Sequence, residues 1–562
     1  MNQTRTFLFF ALMLVAYLLW MEWEKDYVTP PPAPTPAAQT TGSNPADSSV
    51  PGATTPAGVP GEAASPAGPA QLITVTNDVL RLTINTRGGS VVRSELLAYP
   101  NEPRTKKNPD PAPVRLLDDE DAHFFAAQDG LVSSSGAAPD HNALFHADQT
   151  EYTLANGEKT VSVNLTWTDA SGIKVVKRYT LSRTSYIVDL DQRIENGSSV
   201  AWTGNAYQQL QRVPAAKVNW FKAYTDPAQH SFFGAAWYSP DTKFDQLLFA
   251  DFPKKPLNRQ ITGGWISMLQ HYFFVAWIPP STEAVTYTTT IVNPDTATPR
   301  YIVRAFGPSL VAAPGQSVDS VARLYIGPKL QGTLDAIAPG LELTSNYGWL
   351  TIIAQPLHWL LSQLHAISGN WGVAIILLVL LIKAVLFKLT DAQFRSGARM
   401  RKLQPRVQAL KERYGDDKVK MQQAMMELYK KEKVNPMAGC LPILITFPIF
   451  IGLLRVLSES IELRHAPFFG WIHDLSASDP YYVLPVLYML VTLATQRLTP
   501  MTGMDPTQAK MMKVMPLLFG VFFAFFPSGL VLYWTVNGAT SLLQQWWITR
   551  SVERADQKLR TT

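Results

Sequence analysis

The stretch Trp371–Thr390, WGVAIILLVLLIKAVLFKLT, constrains this chain more than any other: it is an apolar run about as long as a bilayer is thick, with Lys383 inside it and Lys388 marking its end. An unrelieved lysine near the centre of a membrane helix costs roughly 3 kcal/mol, so a sequence that keeps one either hides it in a polar cavity or uses it. The bland alternative is that Lys383 snorkels its ammonium to the nearer interface along its own methylene stem. A functional lysine demands a water-filled space beside this helix, with polar walls contributed by other helices.

With 562 residues, 42 prolines and 46% hydrophobic content, the chain is too long for one core and too unevenly apolar for a simple soluble enzyme. The net charge of +5 matters less than its placement, because the basic residues concentrate between hydrophobic segments of the C-terminal third. That pattern points to membrane topology and away from a nucleic-acid substrate. A single cysteine, Cys440, excludes an intrachain disulfide framework, and without a CxxC pair or a cysteine–histidine cluster no metal site is expected. No cofactor is implied.

Residues 1–27 hold a short hydrophobic stretch, Thr6–Trp20, that fits a secretory signal or an uncleaved anchor. Met21 to Lys25 offer no small-x-small cleavage site, and Trp20 and Trp23 suit an interfacial belt, so a transmembrane anchor with its N-terminus inside is favoured. Residues 28–70 are rich in Pro, Ala, Thr, Gly and Ser and cannot bury enough apolar surface to offset the entropy of ordering; a disordered linker is expected. From 71 to 330 the pattern changes to short alternating segments: Ile73/Val75, then Leu80/Leu82/Ile84 running into Gly88-Gly89, then Val161/Val163/Leu165/Trp167. This predicts a large all-β sandwich, either a spacer or docking domain or a binder of an extended chain, a sugar or a partner's edge strand. Residues 331–370 form a connector and an interfacial amphipathic helix, in which His358 and His365 are interfacial side chains.

After the second transmembrane helix at 371–390, residues 391–437 are the most charged part of the chain. Leu403, Val407, Leu410 and Tyr414 on one helix and Met421, Met425 and Leu428 on the next predict an antiparallel hairpin turning at Gly415-Asp416-Asp417. Its outer faces carry Arg399, Arg401, Lys402, Arg406, Lys411, Lys418 and Lys420, which place it in the cytoplasm. That basic surface is a topological signal with lipid-headgroup attraction, or a docking site for a ribosome or another acidic partner. Residues 438–549 hold four further spans and 550–562 a basic cytoplasmic tail, giving six transmembrane helices with both termini inside. Several of the apolar cores fall short of the ~20 residues a bilayer asks for.

Polar walls for Lys383 are present. Tyr533, Asn537, Thr540, Ser541 and Gln544 make a stripe on the last span, Thr492, Thr495 and Gln496 a shorter patch on the fourth, and the third carries Thr446 between Pro442 and Pro448. No acidic residue lies at comparable depth, so the lysine must be solvated by water in a groove open to the cytoplasm. Plain helix–helix glue is the alternative for the stripe.

The runs NWG at 370–372, LQPRVQALKERYGDDK, YKKEKVNPMAGCLP, PIF at 448–450, WIHDLSASDPYYVLP and FPSGLVLYW, with TINTRGG, YIGPKL at 325–330 and APGLELTSNYGWL, resemble the YidC/Oxa1/Alb3 family of membrane protein insertases along the whole chain. The resemblance implies an inner-membrane insertase and chaperone, not an enzyme. Such a protein has a periplasmic β domain, five helices forming the insertase core, and no nucleotide of its own. It implies nascent membrane proteins as clients, received alone or beside the Sec translocon. It also implies a groove with a positive residue on the second span, usually arginine, where this chain has Lys383. A threonine common one turn earlier is Val379 here. In that setting Phe450, Phe522 and Phe526 are candidates for an apolar slide guiding clients into lipid, with core packing as the rival. A solute or ion transporter would show an internal repeat and midplane carboxylates, which the sequence lacks. A sugar-binding or sugar-modifying enzyme housed in the β domain is the third reading.

Overall fold

The computed structural model describes residues 50, 69–215, 218, 219, 229, 231–345, 347, 350–415, 417–432, 441–498 and 506–561. The expected anchor, almost all of the linker, Asp416 and Cys440 lie outside the described residues. The chain divides into two compact units, with the division at Asn346/Tyr347.

The first unit is built from strands whose side chains alternate between a sealed face and an open one. In Ile187–Asn196, Val188, Leu190, Gln192 and Ile194 are buried while Asp189 and Arg193 face out, as the period of two requires. One sheet runs Asn258–Thr262, Ala284–Val292, Arg300–Ala312, Trp202–Arg212, Phe125–Ser133, Ser90–Pro100, Leu80–Asn85, Leu72–Thr76 and Glu151–Thr153, with Pro113–Arg115 beside Ser90–Pro100. The other runs Lys243–Leu248, Gly234–Ser239, Trp265–Leu269, Phe273–Ile278, Ser317–Pro328, Ile187–Asn196, Ile173–Ser182, Thr160–Thr168 and His146–Ala147. Their inner faces make the expected all-β sandwich, with Trp202, Trp277, Tyr179 and Tyr207 among its fully buried side chains. Residues 331–345, assigned to a connector on sequence grounds, bury Leu334, Ala338 and Leu341 against Tyr238, Trp265 and Phe274. The indole of Trp265 donates to the Pro339 carbonyl at 3.1 Å.

An ion pair ties the two sheets together. Lys177 Nζ lies 2.6 Å from Asp129 Oδ2, with both side chains fully sealed from solvent. The ammonium also donates to the carbonyls of Gly88 at 2.7 Å and Asp129 at 3.0 Å. The carboxylate lies 2.6 Å from the Tyr179 hydroxyl and accepts from Gln192 Nε2 at 2.6 Å. Burial pushes the Lys177 ammonium below the ordinary lysine range, opposed by the charge of Asp129, and pushes the Tyr179 phenol up. The turn supplying one of these carbonyls needs glycine: Gly88 has φ of 77°, and a Cβ there would sit 2.0 Å from the His141 carbonyl oxygen.

The second unit is helical. Its described helices are α1 (Thr351–Ser368), α2 (Trp371–Val385), α3 (Phe387–Lys402), α4 (Gln404–Tyr414), α5 (Lys418–Lys431), α6 (Leu441–Glu459), α7 (Val483–Leu498), α8 (Pro506–Phe523) and α9 (Ser528–Thr561). In α1, Ala354, His358 and Leu361 are buried while Ile352, Trp359 and Ile367 are exposed, so both of its faces carry apolar groups. Leu378 and Val379 of α2, Leu453 and Val456 of α6, and Leu530 and Val531 of α9 form the shared core.

The expected single helix over 371–390 is broken. Helix α2 ends at Val385, and α3 leaves it at an angle of 69°. No proline or glycine stands at the break. Phe387, the first residue of α3, instead lies 6.3 Å ring to ring from Trp547 of α9. Among the described residues no single helix is long and apolar enough to cross a membrane, and the bent α2–α3 pair passes that test together. Arg399, Arg401 and Lys402 therefore sit on α3, ahead of the hairpin formed by α4 and α5. In that hairpin Leu403 and Val407 are buried, and Asp417 caps α5 by accepting from the Lys420 N–H at 3.1 Å.

Lys177→Met should destabilise the β unit by about 3–5 kcal/mol, because it strands a sealed carboxylate. Lys177→Met/Asp129→Leu should cost less than the sum of the single changes. Denaturant titration of the purified variants measures both.

Candidate functional site

Helices α2, α7 and α9 begin at one end of the helical unit, and residues 460–482 fasten their starts together. Asn370 caps α2 by accepting from the Val373 N–H at 3.1 Å, and its amide donates to the Pro467 carbonyl at 3.2 Å. The carboxylate of Asp479, 1% exposed, accepts from the Leu484 N–H at 2.8 Å, the Tyr481 N–H at 3.0 Å and the Trp471 indole at 2.9 Å. A carboxylate at the start of α7 also sits favourably in that helix's dipole. At the start of α9, the Ser528 hydroxyl donates to the Asp474 carbonyl at 2.8 Å, and the Gly529 N–H donates to the Leu475 carbonyl at 2.8 Å. The Phe468 ring lies so close to Gly372 that a Cβ there would approach it to 2.1 Å. This end is closed by packing and by satisfied backbone groups.

Lys383 lies away from that end, in the last turn of α2. Fifteen residues make a helix of about 22 Å, short of the ~30 Å hydrocarbon core of a bilayer. The shortfall falls where the charge is. A cation in the last turn also faces the negative end of the helix dipole, which lowers the cost of keeping it there. Its ammonium donates to Ser541 Oγ at 2.7 Å. Ser541 in turn donates to the Asn537 carbonyl at 2.8 Å. Among the described residues no carboxylate pairs with Lys383.

The remaining stripe residues divide by what their polar atoms do. The hydroxyls of Thr540, Thr492 and Thr495 donate to the carbonyls of Val536, Tyr488 and Val491, each one turn back on its own helix, at 2.7–2.8 Å. The Gln496 amide bonds the Met512 carbonyl, linking α7 to α8. Gln544 Oε1 is shielded from solvent and has no hydrogen-bond partner among the described residues. Tyr533 is buried, with its ring 6.2 Å from Phe450. Thr446 is exposed on α6.

Phe450, Phe522 and Phe526 are half-buried in one aromatic cluster. Phe450 and Phe526 lie 5.9 and 6.0 Å from Trp534, and Phe522 lies 4.7 Å from Phe526. At its centre Phe523 stacks on Trp534 at 3.9 Å. Phe523 did not stand out in the sequence, where aromatic residues crowd the whole segment, and Trp534 entered only as the end of the FPSGLVLYW run. Gln545 and Thr535 were also missed: Gln545 donates to the Leu498 carbonyl at 3.1 Å, and Thr535 reaches the Leu484 carbonyl at 3.4 Å. These polar staples join α9 to α7 on a face the stripe does not include.

Of the basic candidates, Arg399, Lys402, Arg406 and Lys420 are exposed and Arg401 half-buried. Arg406 pairs with Glu432, and Lys420 lies 3.2 Å from Asp417. The side chains of Lys411 and Lys418 lie outside the description. His365 stacks on Trp371 at 3.9 Å, and His358 lies 3.8 Å from Glu462.

Residues 363–556 match the family described as 60Kd inner membrane protein, and residues 72–360 match the YidC periplasmic domain. A Stenotrophomonas maltophilia protein named membrane protein insertase YidC is 47% identical, covering 98% of this chain and 97% of that protein. One of the same name from Thioalkalivibrio sulfidiphilus is 43% identical, covering 99% and 100%. A solved structure described as an active YidC insertase aligns at 18% identity and a TM-score of 0.37, covering 84% of this chain and 93% of that one.

Asp479→Ala orphans three donors at the fastened end and should lower stability by about 3 kcal/mol. Asp479→Asn, which keeps one acceptor oxygen, should cost less. Thermal unfolding in detergent, followed by tryptophan fluorescence, ranks the two.

Proposed function

The chain belongs to the YidC family of inner-membrane protein insertases, and on that premise we propose that it transfers hydrophobic segments of newly made membrane proteins into the bilayer from a hydrated, cytoplasm-open groove charged by Lys383. The observation that carries this reading is the asymmetry of the helical unit. One end is bound by Asn370, Asp479 and Ser528, while Lys383 stands away from it with a neutral hydroxyl as its partner. A client's short hydrophilic tail enters the groove from the cytoplasm, where the ammonium attracts its acidic groups. The apolar flank, with Phe450, Phe522 and Phe526 as the candidate slide, leads the following helix toward lipid.

The work is transfer, not bond chemistry. A wet half-channel and a locally thinned bilayer shorten the dry distance a polar tail must cross. Client hydrophobicity, at roughly 25 cal/mol per Å² removed from water, supplies the drive. In this reading the chain is multi-pass with both termini cytoplasmic and the β unit in the periplasm. The proposed domains are 1–27 anchor, 28–70 linker, 71–330 β domain, 331–370 connector and interfacial helix, 371–390 second span, 391–437 basic hairpin region, 438–549 four spans and 550–562 tail, with 331–345 packed against the β domain and the second span bent after Val385. The Sec translocon is a working partner, and the basic residues Arg399, Arg401, Lys402, Arg406, Lys411, Lys418 and Lys420 are the candidate docking region for a ribosome.

In liposomes holding only this protein and a single-span client with an acidic tail, Lys383→Glu should reduce insertion about tenfold or more, by replacing attraction with repulsion at close range. Lys383→Arg should retain most activity. Equal insertion by both variants removes the electrostatic mechanism. Deleting residues 71–320 should leave insertion of such a client intact; its loss would favour an activity housed in the β unit.

A further inference from the structure

We propose that Ser541 is a positioning residue that holds the Lys383 ammonium inside the groove and yields it to the acidic tail of a client; this rests on the groove-charge reading above. The Ser541 hydroxyl spends its proton on the Asn537 carbonyl at 2.8 Å, so its lone pairs face the ammonium 2.7 Å away. Ser541 acts toward lysine as an acceptor anchored to the backbone of α9. An ammonium has three donors, and among the described residues Ser541 is the one acceptor that Lys383 reaches. The ammonium therefore has spare donors. One turn further along α9, Gln544 Oε1 is a sealed acceptor with no partner among the described residues.

The chemistry of the anchor decides its role. Without Ser541, the four-carbon stem at the end of a short helix is free to snorkel toward the interface, away from the client's path. With an aspartate in its place, the ammonium would be neutralised by an ion pair and nothing would be left for the client. A neutral hydroxyl lies between these limits: it localises the charge, and a client carboxylate displaces it, because the carboxylate adds the attraction of an opposite charge to the hydrogen bond it accepts.

The test is the ratio of insertion of an acidic-tail client to that of the same client with its acidic residues changed to amides, in proteoliposomes of the full chain. General damage to folding lowers both members of the ratio alike. Lys383→Gln should lower the ratio. Ser541→Ala should lower it about three- to tenfold, the effect of leaving one long side chain to be ordered at each capture. Ser541→Thr should restore it, Ser541→Asp should lower it at least as far as Ser541→Ala, and Lys383→Gln/Ser541→Ala should fall no lower than Lys383→Gln alone. If Lys383→Gln lowers the ratio while Ser541→Ala leaves it unchanged or raises it, the positioning role is overturned and the groove-charge reading stands. If Lys383→Gln itself leaves the ratio unchanged, both are overturned.

Discussion

Taking a lysine out of water has to be compensated, and the two units of this chain do so in opposite ways. Lys177 is fully sealed, and its ammonium is surrounded by the Asp129 carboxylate and two main-chain carbonyls. Every partner is fixed by strand register or by the Gly88 turn, so the charge orders the sandwich and has nothing left over. Lys383 is only partly buried, and its one partner among the described residues is a neutral hydroxyl. A buried group whose hydrogen-bonding capacity is filled specifies a fold; one whose capacity is unfilled is prepared for something that arrives later.

The fastened end of the helical unit is the condition for that readiness. A polar space open at both ends would be a channel, and a helix bundle with no fixed end would close over a lone cation to exclude it. Residues 460–482 meet both problems with few groups. Asp479 satisfies the Leu484 N–H in the first turn of α7 and holds Trp471, and Ser528 joins the start of α9 to the same loop. Because α2 runs only about 22 Å from this end before it breaks, Lys383 is delivered to a definite depth.

The strand alternation and the Gly88-Gly89 turn were legible in the sequence because each follows from local geometry: a period of two, and a φ that only glycine adopts cheaply. The Trp371–Thr390 stretch was half legible. Its apolar run and its lysine were plain, but the 69° break after Val385 has no proline or glycine to announce it, and Phe387 against Trp547 is a tertiary contact. In residues 331–345, Leu334, Ala338 and Leu341 fall at i, i+4 and i+7, but Pro339-Gly340 interrupts a helix there, so spacing alone did not announce their packing against Tyr238 and Trp265. Within the polar stripe, periodicity put Thr540 and Ser541 together but could not tell them apart. Thr540 satisfies its hydroxyl on its own helix, whereas Ser541 does so and still presents lone pairs to Lys383.

That distinction bears on why lysine is workable at a position where the family resemblance leads to an expectation of arginine. A guanidinium has five donors in a rigid plane and is best matched by a carboxylate or several convergent acceptors. A single serine oxygen would leave most of that fork unpaired. An ammonium is a compact charge whose donors rotate, so one acceptor on α9 is enough to localise it while the other donors stay available. Val379, buried in the helical core one turn before Lys383, offers no hydroxyl to share the task. With Val379 contributing no side-chain acceptor there, orientation of the charge passes to α9, and in the proposed mechanism the Lys383–Ser541 pair is the contact through which the two helices set where a client's acidic group is met.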